Sequence, residues 1–447
     1  MTNLEQKMTN IRGKYDQLTE LNPKPIVNFV PSNAEEQKQL FLGGEVRNPV
    51  HEYDRLNALN LEEQKVKIET SGLAVLSDEY LTNKTAPAYE QMVGDYTKKL
   101  EFIQLARDFN NESDAAAKEL IKSRYMELNI ELFGEPKEGI YRSLLSEALA
   151  QIDSRELSPQ EMVIREELEA LLPSMSEQLA EPIFRPSGET VQWVHEVARA
   201  LYGGMLRHIP EDKETFDVDE VQAIFQTVLS EEFEGAADGW EVVIAKAPSI
   251  NVVTSEKKIV IPFDRAPMDA HELRLKVVHE IGVHVLRSIT GEQTETLPLV
   301  HGLADYNTAE EGIGKVMEQA LASQYRIEGQ DYYIAAGSIY FDNKDFRDTQ
   351  EILWRLQFLR SGSSEENHEA AIEKAKNYGY RVTHRITRGT DELPWFKDLG
   401  YYNGIQSMWQ YLESIRGDDT KFMFFLQGKI DPSNIEDERI VYEAKSR

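Results

Sequence analysis

Cysteine is missing from all 447 residues of the chain. Its absence excludes a disulfide scaffold, a thiolate metal site, a cysteine nucleophile and a CxxC redox centre. Positive charge is also scarce. Lys and Arg total 49 against 78 Asp and Glu, a net charge of −29. Phosphate binding needs a basic face, so a generic nucleic-acid binder is excluded, and adsorption to anionic lipid is disfavoured. Long apolar runs are lacking as well: nothing approaches the roughly 20 residues of a membrane span. The opening MTNLEQKMTN has no apolar core of a secretory leader. The expectation is a cytoplasmic protein with no nucleic-acid and no membrane partner. The length is ample for a large core, in two or three domains or a single large one.

Residues 1–33 read as a polar helical extension followed by a proline-punctuated connection, NPKPIVNFVPS. From about Ala34 to Met205, apolar residues recur at three- and four-residue spacing, as amphipathic helices require. Asp153–Trp240 holds 20 acidic and 6 basic residues, a local charge of −14 that fits a solvated helical surface. Near Gly239 the texture changes. Trp240–Ile244, Ile250–Thr254 and Lys258–Pro262 are short β-branched runs, the last two predicting a hairpin. A long helix is predicted from Asp269 to Ile289, with Gly291 as its C′ residue. The fold class is therefore α+β, predominantly helical with a small sheet. The expected organisation is an extension (1–33), a helical lobe (34–235) and a C-terminal core (236–447).

Inside that long helix lies His279-Glu280-Ile281-Gly282-Val283-His284. Two His and a Glu resemble the zinc-protease pattern HExxH, with one residue added. On a regular helix, histidines five apart face directions about 140° apart. A π-bulge restores a common face, and such bulges recur at functional sites; Gly282 lowers the cost of the distortion. Burying unpaired His and Glu in so apolar a helix would be expensive, which favours a metal site. By contrast, His271-Glu272 reads as first-turn charge, and His195-Glu196 as ordinary helix surface.

A catalytic zinc takes three protein ligands and keeps one position open. Without cysteine, the third must be His, Asp or Glu. Glu310 and Glu311 are the nearest candidates, with His301 and Asp305 behind them. A competing reading makes Thr308-x-x-Glu311 a capping box.

HEIGVH followed by TAEEGIG resembles the tyrosine/phenylalanine carboxypeptidase-like zinc metallopeptidases. This family joins bacterial QEGLA-motif proteins to the microtubule-associated tyrosine carboxypeptidases. GEVRNPVHEY (Gly44–Tyr53), ELFGEP (Glu131–Pro136) and the stretch from Arg385 to Gly404 are similar to further family segments. The resemblance spans about residues 35–415 and treats 34–235 and 236–447 as one family-level domain. It implies a zincin-like active-site helix carrying HExxxH and one Zn2+ per chain. It further implies His279, His284 and Glu311 as metal ligands and Glu280 as the catalytic carboxylate. The family's usual Gln-Glu-Gly-Leu-Ala is here Glu310-Glu311-Gly312-Ile313-Gly314. A second six-residue family, the dipeptidyl peptidase III type, places its glycine at the fifth motif position rather than the fourth, as here.

The implied activity is hydrolysis of a C-terminal peptide bond in a peptide or protein, releasing Tyr or Phe. Such an exopeptidase must hold a free carboxylate, for which Arg385, Arg388 and Lys397 are candidates. Tyr401, Tyr402 and His384 are candidate oxyanion donors. Alternatives are a zinc aminopeptidase or dipeptidyl peptidase, which needs an acid for the substrate amine, and a non-catalytic scaffold. Microtubule binding is not expected, because tubulin tails and this chain are both strongly acidic.

Overall fold

The computed structural model describes residues 3–82, 85–172, 180–247, 249–294, 296–303, 306–362 and 367–445. Asp305 lies outside them. The architecture is α+β and predominantly helical. Among the described residues, no helix is long and apolar enough to cross a membrane.

The small sheet has three strands. Lys258–Pro262 is central, paired in parallel with Glu241–Ala245 and antiparallel with Asn251–Val253. The antiparallel pair is the expected hairpin. Its turn is closed by Lys257 at φ 51°, a left-handed conformation. A second, two-stranded ladder joins Thr215–Phe216 to Met268–Asp269. It lacks the β-branched run that would have announced it, and it holds the start of the long helix in place.

That helix begins at Asp269, whose side chain accepts from Glu272 N–H. It runs as Ala270–Lys276, Val277–Val285 and Leu286–Glu292, and the central nine residues are π-helical. Leu286 N–H bonds to Ile281 O, the i→i+5 pattern. Gly291 is not a C′ residue but part of the last helical turn. A Cβ there would meet Leu299 O at 2.3 Å, so glycine is required by close backbone packing.

Among the described residues one apolar core carries this rod, two more lie outside it, and a small fourth gathers Phe41, Phe346 and Tyr380. One gathers Val194, Tyr202, Phe225, Ile259, Val277, Ile281, Ile313 and Trp409 around it. A second joins the N-terminal helices to the C-terminal half, bringing Ile11, Tyr15 and Leu18 against Leu297, Leu299 and Trp395. The first helix, Asn3–Thr19, is thus anchored by a buried face, and Tyr15 Oη donates to Leu297 O at 3.1 Å. The third is built on Tyr141, Leu353, Phe396 and Leu399.

Candidate metal centre and substrate cleft

The π segment decides the geometry of the motif. It brings the rings of His279 and His284 to 4.8 Å between centroids with planes 80° apart. His279, Glu280 and His284 are all buried, with potential ligand atoms within 4.8 Å of one another. Gly282 contributes through space rather than unusual dihedrals: a Cβ there would lie 2.7 Å from the Tyr202 ring.

The facing helix, Tyr306–Leu321, supplies the carboxylates. Thr308 lies inside it, so the Thr308–Glu311 capping box does not form and the Glu311 carboxylate is left for the cleft. Glu311 Oε2 lies 3.9 Å from His279 Nε2. Glu310 points elsewhere: its Oε1 sits 2.8 Å from His284 Nδ1, and it is held by buried Lys429 (3.0 Å) and by Arg287 Nη1. Burial alone would raise the Glu310 carboxyl, but Lys429 and Arg287 hold it far below the usual carboxylate range. On the other side, His279 Nδ1 approaches Glu318 Oε1 at 2.8 Å, obliquely to the ring N–H direction. Burial acts to lower the His279 pKa, yet neighbouring Glu280 and Glu318 leave it raised.

Both imidazoles therefore have Nδ1 against a carboxylate and Nε2 left over. At His284, which is hydrogen-bonded to Glu310, this is the outer arrangement that fixes tautomer and orientation in metal-bound histidines. Two imidazole nitrogens with Glu280 and Glu311 nearby form a nitrogen–oxygen donor set of the kind zinc accepts. Sequence reasoning missed Glu318, Arg287 and Lys429. A signal existed for Glu318: it is seven residues after Glu311, two turns along the same helix face.

Two glycines bring this helix close to its neighbours. A Cβ on Gly314 would lie 2.6 Å from His279 Cε1, and one on Gly312 would meet Gly404 C at 2.4 Å. The second contact presses Tyr306–Leu321 onto Leu399–Ser414, setting Tyr401 beside Glu311.

A cleft of about 250 Å3 opens on Glu311, lined by Tyr96, Phe133, Tyr306, Trp395, Lys397 and Tyr401. The Asn22–Ile26 stretch, read from sequence as a connection, forms part of its wall. His301 also lines it, stacked on Tyr15 at 5.6 Å. It does not join the His279–Glu280–His284 group.

The other sequence candidates separate. Arg385 is committed to buried Asp398 through two bonds, Nε at 2.5 Å and Nη2 at 2.9 Å, and its Nη2 also donates to Tyr401 Oη at 3.1 Å. Arg388 lies 3.9 Å from the same carboxylate, over the Trp395 ring at 5.3 Å. Lys397 is the candidate cation that reaches the cleft; it lies 3.9 Å from Asp398, whose charge Arg385 already engages. Tyr402 does not face the cleft. It is buried in the third core, edge-on to Tyr333 at 5.2 Å, because adjacent residues on a helix point about 100° apart. His384 is likewise remote, packed on His51 at 4.6 Å.

A buried pair of histidines oriented by carboxylates, beside a cleft with its own cation, is the layout of a hydrolytic centre. The chain belongs to the microtubule-associated tyrosine carboxypeptidase family, whose profile matches residues 192–445, more than half of the chain. That span holds the sheet, the π segment, both glutamates and Lys397–Tyr401. The similar segments Gly44–Tyr53 and Glu131–Pro136 lie outside it. No curated protein and no solved structure gives a match.

Proposed function

We propose that this protein is a zinc-dependent metallocarboxypeptidase that removes an aromatic C-terminal residue, Tyr or Phe, from a peptide or protein. The observation that carries this reading is the arrangement of His279, His284 and Glu311, with Glu318 and Glu310 behind the two rings, in which Glu311 also lines the cleft that contains Lys397. In this reading His279 Nε2, His284 Nε2 and the Glu311 carboxylate hold one Zn2+. Bound there, the ion would polarise the scissile carbonyl and acidify a water.

The chain's own residues supply the remaining chemistry. Glu280 takes the proton of the attacking water and returns it to the leaving amine. Lys397 pairs with the substrate's terminal carboxylate, while Tyr96, Phe133 and Trp395 offer an aromatic wall to its side chain. Burial pushes the Tyr401 phenol up to about 12, so it stays protonated. Arg385 occupies the Tyr401 oxygen as a donor, which leaves the phenolic hydrogen to stabilise the developing oxyanion.

The cleft's charge favours this over an aminopeptidase. The acid Asp95 on its wall is paired with Lys99 at 2.5 Å, leaving Lys24 and Lys397 rather than a free carboxylate to meet a substrate terminus. The test is metal analysis together with hydrolysis of peptides ending in Tyr, Phe, Lys or Glu. Zinc at one per chain and release of Tyr or Phe are expected, with loss of turnover in Glu280→Gln. Full activity in Glu280→Gln would sink the mechanism, and zinc binding without any turnover would favour a scaffold.

A further inference from the structure

The acidic balance of the chain is reversed at one cavity. It has a volume of about 550 Å3 and is lined from three helices, Ala34–Leu42, Phe346–Ser361 and His368–Thr387. Three cations face it: Lys38 from the first helix, Lys374 and Arg381 from the third. Lys374 and Arg381 are seven residues apart, so they share one helix face at about 10 Å separation along the axis. Among the described residues no acid lines the cavity, in a chain with 78 Asp and Glu against 49 Lys and Arg.

The three cations are also uncommitted. Among the described residues none of them forms an ion pair, and Arg381 lies over the Tyr378 ring at 5.3 Å. Acids near the lining residues have other partners. Asp331 accepts from Arg360 at 2.7 Å and from Tyr378 Oη at 2.6 Å. Asp391 accepts from His51 N–H at 2.7 Å and from Tyr53 Oη at 2.6 Å. Glu35, one turn before Lys38, accepts from Gln39 Nε2 at 3.3 Å. Like charges gathered round one cavity repel one another, a cost that a bound anion offsets.

His384 lines the same cavity, and its Nδ1 is buried without a hydrogen-bond partner. An orphaned buried nitrogen calls for a partner from outside the chain. The remaining wall is largely apolar, with Phe358, Ala371, Ala375 and Tyr380. The volume falls within the roughly 300–1,000 Å3 of small-molecule sites.

We infer that this cavity binds a small organic anion with at least two negative charges, its charged groups on Lys38, Lys374 and Arg381 and its apolar body against Phe358, Ala371 and Tyr380. No lining residue is shared with the cleft beside Glu311, so the site is separate from that cleft and does not rest on the carboxypeptidase reading.

The test is anisotropy titration of pyranine, a flat trisulfonated pyrene dye, with the full-length protein. Saturable binding is expected. The triple variant Lys38→Gln, Lys374→Gln, Arg381→Gln should bind the dye at least about tenfold more weakly, as loss of charged hydrogen bonds would give. A control of equal net charge, Lys65→Gln, Arg199→Gln, Lys246→Gln, alters three exposed cations elsewhere and should bind as the parent does. Lys374 and Arg381 are exposed, so the double variant at those two positions keeps the test readable if the triple variant melts early. Methanedisulfonate, which has the charges without an apolar body, should displace the dye only at concentrations at least about tenfold above those of unlabelled naphthalenetrisulfonate. Absence of saturable binding, equal weakening in the cavity and control variants, or equal displacement by the two competitors overturns the inference.

Discussion

Gly314 lies directly against the ring of His279: a Cβ on Gly314 would sit 2.6 Å from His279 Cε1. The ring has little room to retreat, because its Nδ1 is engaged by Glu318. In an exposed helix interior, Gly→Ala stabilises by up to about 1 kcal/mol; here the clash reverses the sign. Gly314→Ala should weaken zinc affinity at least tenfold, read by chelator competition. Gly94, also helical, has nothing within 4 Å of its would-be Cβ, and Gly94→Ala should raise the melting temperature without touching zinc.

Glu310 and Glu311 are neighbours with separable roles. Glu311→Gln should abolish zinc retention with a modest change in metal-free stability. Glu310→Gln should instead unfold the protein earlier, because Arg287 and Lys429 would be left buried without their shared carboxylate, a loss of about 3–5 kcal/mol. Elemental analysis after dialysis, paired with calorimetry of metal-free protein, separates the two. Zinc lost from Glu310→Gln but kept by Glu311→Gln would exchange their assignments.

Lys397→Ala should raise KM for peptides by about 10–100-fold with a smaller effect on kcat, the loss expected when a charged hydrogen bond to substrate is removed. Arg385→Ala should act differently. It removes the bond to Tyr401 Oη and frees buried Asp398, so kcat and stability should fall together. Steady-state kinetics on one Tyr-terminated peptide, with melting curves, checks both.

His384 sits among His51, Tyr380, Arg388 and Asp391. Burial pushes its imidazole from 6.5 down to about 3, with the charge of His51 acting the same way. Below pH 6.5 the unfolded chain binds a proton that the folded chain refuses. Stability from this residue is therefore complete above pH 6.5 and is lost as pH falls toward about 3. The melting temperature of the parent protein should fall more steeply between pH 6 and pH 4 than that of His384→Gln. Parallel profiles would refute this.

With a net charge of −29, the chain should be repelled by acidic tubulin tails despite its family. Co-sedimentation with microtubules should be negligible at physiological salt. Tight, salt-independent pelleting would contradict it.

Much of the site was legible in the sequence because the relevant constraints are local. Five-residue spacing of His279 and His284 demanded a helix wider than α, and the chain forms nine π residues there. The β-branched runs and their turn likewise announced the hairpin. The Thr308 cap was misread because a capping box describes one turn, whereas the helix starts earlier, at Tyr306, and buries Gly312 against Gly404. Arg385 looked like a substrate ligand because sequence cannot show that Asp398, thirteen residues on, claims it first.

The absence of cysteine and the excess of acidic over basic residues were themselves determined by sequence alone. They confined any metal site to His and carboxylate ligands, and they set the expectation of no nucleic-acid partner. What only the tertiary structure decided was which carboxylate faces what. Glu310 turns to His284, Arg287 and Lys429, Glu311 to the cleft, and Glu318 to His279. It also made a proline-punctuated stretch near the start of the chain a wall of the cleft beside Glu311. These outcomes depend on helix crossings set by glycine contacts and buried charge pairs between residues up to hundreds of positions apart, and such contacts leave no periodicity along the chain.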